Sequence, residues 1–137
     1  YVRGNEADAA DGVTHDNYFY NNTAYDLRFI YRIATGGAVV RDDTLVNNIF
    51  QQVEDDQTPA AVLFRNNDFW DNGFTAPFPA ENVEVDPQLT DPANQDFTLA
   101  ATSPVKDAGL DLDEVVYDFA GVTRLPGSYA IGALERD

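Results

Sequence analysis

Cysteine and methionine are both missing from the 137 residues, and lysine, histidine and tryptophan occur once each, as Lys106, His15 and Trp70. Without cysteine there is no disulfide, no thiolate nucleophile and no Cys-ligated metal. A single histidine excludes a His-rich transition-metal site and leaves a Ser-His-Asp triad with one possible base. No run of about 18 apolar residues is present, so no membrane insertion is expected. A charged-then-apolar leader is also lacking. With Tyr1 first and no Met, the sequence reads as a mature chain or a fragment, its export signal removed or lying outside it.

Positive charge is the other scarcity. Eighteen Asp and six Glu face seven Arg and Lys106, for a formal net charge of −16. Such a surface repels phosphate backbones and anionic membrane surfaces, so no nucleic acid partner is expected. It also disfavours anionic polysaccharides unless cations bridge them. The acidity fits a solvated surface adapted to high salt, Asp-rich loops that hold Ca²⁺, or the steering of a cationic partner.

What the chain does have is a repeated phrase. Asp16-Asn17-Tyr18-Phe19-Tyr20-Asn21-Asn22, Asp42-Asp43-Thr44-Leu45-Val46-Asn47-Asn48 and Asn66-Asn67-Asp68-Phe69-Trp70-Asp71-Asn72 are near-copies, 26 and then 24 residues apart. A period of this size, with one strand-like phrase per copy, predicts stacked coils. Equal positions in successive coils then lie about 4.8 Å apart, so columns of like residues become stacks and ladders. Phe19, Leu45 and Phe69 form one apolar column, Tyr20, Val46 and Trp70 the next, and Val13, Val39 and Leu63 an earlier one. Asn17, Asp43 and Asn67 form a polar column whose amides can bond to one another and satisfy corner backbone. A rival register lays Asn47-Asn48-Ile49-Phe50 over Asn66-Asn67-Asp68-Phe69. Between copies, Leu27, Phe29, Tyr31 and Ile33 alternate with Arg28 and Arg32 as in a strand, Thr35-Gly36-Gly37 is a turn, and Glu54–Asp56 opens a surface loop.

Beyond Gly73 the repeat stops. Phe74–Pro79 is too rich in proline for a central strand, and short turn-bounded pieces follow to the end. A non-repeating end beside a repeating body is expected to cap it, covering the open strand edge and the interior of the last coil.

The tail Val85-Asp86-Pro87-Gln88, Asp91-Pro92-Ala93-Asn94-Gln95-Asp96-Phe97-Thr98-Leu99, Ser103-Pro104-Val105-Lys106-Asp107-Ala108-Gly109, Asp118-Phe119-Ala120-Gly121, Arg124 and Ile131-Gly132-Ala133-Leu134-Glu135 resembles a closing module. That module is found at the C-terminal end of secreted right-handed parallel β-helix proteins, the pectate-lyase-like superfamily. The likeness covers residues 83–135 and is looser over 13–73. Ala120 and Ala130 stand where that module often carries Asp, which removes two carboxylates. The resemblance implies an all-β, right-handed parallel β-helix of about three coils over residues 1–74 and a cap over 75–137. It implies an extracellular or cell-surface location, often close to an anchoring or sorting signal. The partners it implies are preceding coils of a longer chain, or another copy of this one.

Function is expected to be non-catalytic: a terminal module serving in assembly or carbohydrate contact. Two alternatives stand beside it, the C-terminal part of a Ca²⁺-assisted polysaccharide lyase or glycoside hydrolase, and a self-stacking fibre protein. Carbohydrate-contact candidates are His15, Arg41 and Arg65, read as one vertical cationic stripe, with Trp70. Tyr18, Tyr20, Phe50, Phe74 and Phe78 are further aromatics that could face a sugar. Lyases of the resembled fold use Lys or Arg as base, but Lys106 sits in a structural-looking part of the cap. Carboxylate pairs such as Asp16 and Asp42 read as turn residues. Asp91, Asn94 and Asp96 place three oxygen ligands within six residues and are the metal candidates, with Ca²⁺ as the one candidate cofactor. Asp107, Asp111, Asp113 and Glu114 form a second acidic cluster. Neither follows the EF-hand pattern.

Overall fold

Backbone corners set the shape of this chain. Positive φ falls on Asp16, Asn21 and Asp26, on Asp42, Asn47 and Gln52, and on Asn66 and Asp71. Within each group the corners are five residues apart. Asn and Asp tolerate the left-handed region because their short polar side chains bond locally. Between corners the chain is extended, so each group traces successive flat sides of one layer.

The computed structural model describes residues 2–3, 13–30, 39–55, 61–73 and 80–136, with the backbone alone for Val2, Arg3, Val13–His15, Val39 and Asp55. Arg32, the Thr35-Gly36-Gly37 turn, Asp56–Pro59 and Phe74–Pro79 lie outside the described residues. The protein is all-β. After β1 (Val2–Arg3), layer one holds β2 (Val13–His15), β3 (Tyr18–Tyr20) and β4 (Thr23–Phe29). Layer two holds β5 (Val39–Arg41), β6 (Thr44–Val46) and β7 (Ile49–Asp55), and layer three β8 (Leu63–Arg65) and β9 (Asp68–Trp70). Equivalent strands pair in parallel: β2 with β5, β3 with β6 and β8, β4 with β7 and β9. β1 runs antiparallel along the outer edge of β3.

The register corrects the sequence alignment. Tyr18 pairs with Thr44 and Thr44 with Leu63, so the offset is 26 and then 19, not 24. The rival alignment is the one observed: Ile49 lies beside Asp68, and Phe50 beside Phe69. Phe19 and Leu45 therefore stack with Phe64, and Tyr20 and Val46 with Arg65. Phe69 stacks with Phe50 and Ala24, and Trp70 with Gln51 and Tyr25. Val13 does pair with Val39, but Leu63 belongs to the Thr44 column. The expected strand over residues 25–33 is described as far as Phe29, within β4, where Leu27 lies in register with the buried Val53 of β7 and is itself exposed.

Residues at the centre of each side point inward. Leu45, Phe50, Phe64 and Phe69 join Val40, Val53 and Val62 in one core, with Phe19, Ala24 and Ile30 packed against it. Phe50 and Phe69 stack at 5.2 Å, and Phe64 meets Phe69 edge-on at 5.5 Å. Burial of each such side chain contributes about 1.5–3 kcal/mol.

Polar residues inside the corners hold the layers in step. Asn22, Asn48, Asn67 and Asn82 form a ladder in which each Nδ2 donates to the next Oδ1, at 2.8, 2.8 and 3.0 Å. The same oxygens accept backbone N–H groups of Asn22, Asn48 and Asn67 at 2.9 Å. Asn17 bonds to Asp43 in the same manner. Asn67 is thus in the ladder with Asn48 rather than in the Asn17–Asp43 column. Parallel pairing runs past residue 74, since Val83 bridges to Asp68.

The rest of the tail lies along one side of all three layers, where a cap over the last coil had been expected. After β10 (Leu89–Asp91), a 3-10 turn at Pro92–Asn94 and β11 (Asp96–Leu99), the chain runs down an outer column of asparagines. Asn66 Nδ2 donates to Ala108 O, Asn47 Nδ2 to Leu110 O, and Asn21 Nδ2 to Ala130 O. Ile49, which faces out of β7, is buried under Leu99, Val105, Ala130 and Ile131. The apolar residue at this outward position is what attaches the tail to the side.

Two glycines allow the close approach. A Cβ on Gly109 would lie 2.8 Å from the carbonyl oxygens of Tyr129 and Ala130. Gly132, at φ +101, would place one 2.7 Å from Ile49 Cδ1 and 2.8 Å from Thr23 Oγ1. Gly132→Ala is expected to lower stability by about 2 kcal/mol through this clash and the φ penalty. Its denaturation midpoint checks the value, and early proteolytic release of the tail checks the cause.

Candidate functional site

Where the central residue of a strand points inward, its neighbours point out. On the β3–β6–β8 sheet these outward residues are Tyr18 and Tyr20, Thr44 and Val46, and Leu63 and Arg65. Together with Leu110, Asp111 and Leu112 of the tail they line a cavity of about 390 Å³. The Tyr18 and Tyr20 rings are 5.6 Å apart. Arg65 reaches Glu81 at 3.5 Å from an exposed position. An ion pair in that setting contributes little to stability and leaves the guanidinium open to solvent. Asp111, the one carboxylate among the described lining residues, accepts the Gly127 N–H at 2.8 Å.

The four carbohydrate-contact candidates are spread over three sheets. His15 and Arg41 are in register on β2 and β5. Arg65 is not in their column: it stacks on Val46 and Tyr20 one sheet away, because the second offset is 19. The cationic stripe is therefore broken after Arg41. Trp70 is half-buried at the end of β9, beside Gln51 in a third sheet. Of Arg41, Arg65 and Trp70, Arg65 is the one among the described lining residues of the cavity. The tail residues that close the cavity lie in a stretch without periodicity, so no pattern in the sequence places them.

A knot of polar groups holds that tail. Arg124 is buried and donates to Ala130 O, Gly132 O and the Glu135 carboxylate. Asp118 accepts the N–H groups of Val122 and Glu135 at 2.7 and 2.9 Å. Burial pulls the Arg124 guanidinium below its usual value, against the opposing charges of Glu135 and Asp118. Burial likewise pushes the Glu135 carboxyl up, against the pull of Arg124. These residues secure the strand-poor end of the chain.

The metal candidates sit on the β10–β11 hairpin, where Asp91 pairs with Asp96. Asn94 turns its Nδ2 to Asp91 Oδ2 at 2.8 Å, so the amide donates there. Asp96 Oδ1 accepts both the hydroxyl and the N–H of Thr98, at 2.6 and 3.1 Å. Those two bonds, the hydroxyl's first, hold the Asp96 carboxyl below the usual carboxylate range. The hairpin thus uses oxygens that a cation would need. Among the described residues no group of three or more His, Cys, Asp and Glu side chains is placed to hold a metal ion.

One carboxyl escapes any such pattern. Asp68 on β9 is fully buried; its Oδ1 accepts the Val85 N–H at 3.1 Å, and its Oδ2 has no hydrogen-bond partner. Burial, reinforced by the charges of Asp86 and Glu84, pushes it up to about 7. It faces the tail beside Ile49 and offers no open site. Among the described residues no helix is long and apolar enough to cross a membrane. No protein-family model matches this chain, and no curated protein matches it.

Proposed function

We propose that the chain is a terminal module of a secreted or cell-surface protein, built as a right-handed parallel β-helix, whose β3–β6–β8 face contacts carbohydrate without cleaving it. The observation that carries this reading is the cavity on that face. It combines the rings of Tyr18 and Tyr20, the Thr44 hydroxyl and the Arg65 guanidinium with a single lining carboxylate. Ring faces and a few fixed polar groups suit a sugar. Hydrolysis needs two carboxylates about 5–9.5 Å apart, and Asp111, bound to the Gly127 amide, has no second acid beside it in the lining.

Retention on cellulose, chitin and cross-linked pectin, with release of reducing ends followed in parallel, tests the reading. Retention without product is expected, and Tyr18→Ala is expected to reduce it at least fivefold. Steady product formation would favour a lyase or hydrolase. A second reading, assembly through layer ends, has one observation behind it: β2 and β4 are the terminal strands of their sheets among the described strands. Such edges template further pairing. Light scattering across protein concentration, with and without Ca²⁺, distinguishes a monomer from growing stacks.

A further inference from the structure

A second cavity, of about 340 Å³, opens where layer one meets the tail. Tyr20, Asn22, Tyr117, Asp118, Phe119 and Arg124 are among its lining residues. Tyr20 also lines the sheet-face cavity, so the two spaces share that residue. Phe119 is 90% exposed and Tyr117 60%. A phenylalanine held that far into solvent gains nothing from folding. Its placement beside a cavity is what a stacking surface requires.

We propose that the two cavities form one groove for a neutral oligosaccharide, in which Phe119 and Tyr117 supply a stacking subsite continuous with Tyr20 and Tyr18. This rests on the reading of the sheet face as a carbohydrate contact and adds the ligand's charge class and a second set of residues. The charge class follows from the ionisable lining. Arg65 is engaged by Glu81 and Arg124 by Glu135. Asp111 holds the Gly127 amide, and Asp118 the amides of Val122 and Glu135. Both cations therefore already have carboxylate partners, while the two lining acids bond to backbone amides. A uronate carboxylate would enter a region of net negative charge in a chain of formal charge −16. An ammonium group would meet acids whose oxygens are already bonded, with two guanidiniums close by. Hydroxyl groups carry neither difficulty. The ring faces of Phe119, Tyr117, Tyr20 and Tyr18 suit the apolar face of a pyranose, and the cavity volumes are in the range of small-ligand sites.

The test is an amide NMR titration of the whole chain with cellohexaose, mannohexaose and xylohexaose, against hexagalacturonate and a proline-rich decapeptide. The expected result is saturable shifts at Phe119, Tyr117 and Tyr20 with at least one neutral hexasaccharide, and none with hexagalacturonate. Phe119→Ala is expected to weaken that binding about tenfold or more, the effect of losing one buried aromatic face. Its melting temperature should be unchanged, because the ring is exposed. Shifts confined to Thr44, Leu63 and Arg65 would overturn the subsite and leave the sheet-face contact standing. Hexagalacturonate binding as tightly as the neutral sugars would overturn the neutral class. Silence from every neutral hexasaccharide would overturn the subsite, and silence from hexagalacturonate as well, or binding of the decapeptide alone, would overturn the sheet-face reading too.

Discussion

Asp68→Asn is expected to raise the stability of the protein at pH 8 by up to about 4 kcal/mol and to leave it nearly unchanged near pH 4. The Asp68 carboxyl has no room for its charge: it is fully buried between β9 and the start of the tail, and one oxygen bonds to nothing. Its neighbours Glu84 and Asp86 are acids, and burial with their help lifts its value from 3.8 to about 7. A carboxyl raised in the folded state binds a proton that the unfolded chain has already lost. Between about pH 4 and 7 the folded state therefore holds more protons, and stability falls as pH rises. Above 7 the cost is complete; below 4 both states are protonated and it vanishes. Asn keeps the acceptor for Val85 N–H and has no charge to lose. Urea denaturation of both proteins from pH 4 to 8 reads the difference directly. A gap that stays constant with pH would mean that Asp68 has a partner for its charge.

Asn48→Ala is expected to cost roughly 3–5 kcal/mol, and Asn48→Leu a similar amount. Asn48 is 1% exposed. Its Oδ1 accepts the N–H and the Nδ2 of Asn22 at 2.9 and 2.8 Å. Its Nδ2 donates to Phe19 O and Asn67 Oδ1 at 2.9 and 2.8 Å. Removing it takes away bonds from three residues in and around the interior, where water cannot replace them. Leucine restores the volume but none of these bonds. A leucine variant close to the parent in stability would show that the ladder contributes packing alone. Asn94→Ala, at an exposed amide bonded only within its hairpin, is the reference and should stay within about 0.5 kcal/mol. Urea midpoints of the three variants settle the comparison.

How far the sequence reveals the fold depends on the length of the repeated unit. Layers one and two could be aligned because Asp16–Asn22 and Asp42–Asn48 match at 26 residues, and that register is observed. Layer three misleads because the sides are five residues long. Left-handed corners recur at Asp42, Asn47 and Gln52, and at Asn66 and Asp71. A phrase beginning at one corner therefore fits the next corner almost as well. An offset of 24 differs from the observed 19 by one side. The slip moved Phe69 from the Phe50 column to that of Leu45, and it put Arg65 under Arg41. The inward apolar residues and the asparagine ladder survive such a slip, since every side has the same inward pattern. The site does not survive it, because a site depends on which sides face one another. Tyr117 and Phe119 were harder still, coming from a stretch whose course is set by contacts such as Asn47 to Leu110, 63 residues apart.

The outer asparagines give the tail a measuring function. Each of Asn21, Asn47 and Asn66 carries a left-handed corner and donates its side-chain amide to a tail carbonyl, so every layer grips the tail through a corner amide. A duplication that added a layer would add a corner amide with no carbonyl to meet it, and the tail would need lengthening to match. A deletion would leave tail carbonyls without donors. The number of layers and the length of the tail can then change only together. Growth by simple repeat gain, the usual history of stacked architectures, is arrested where such a tail is present.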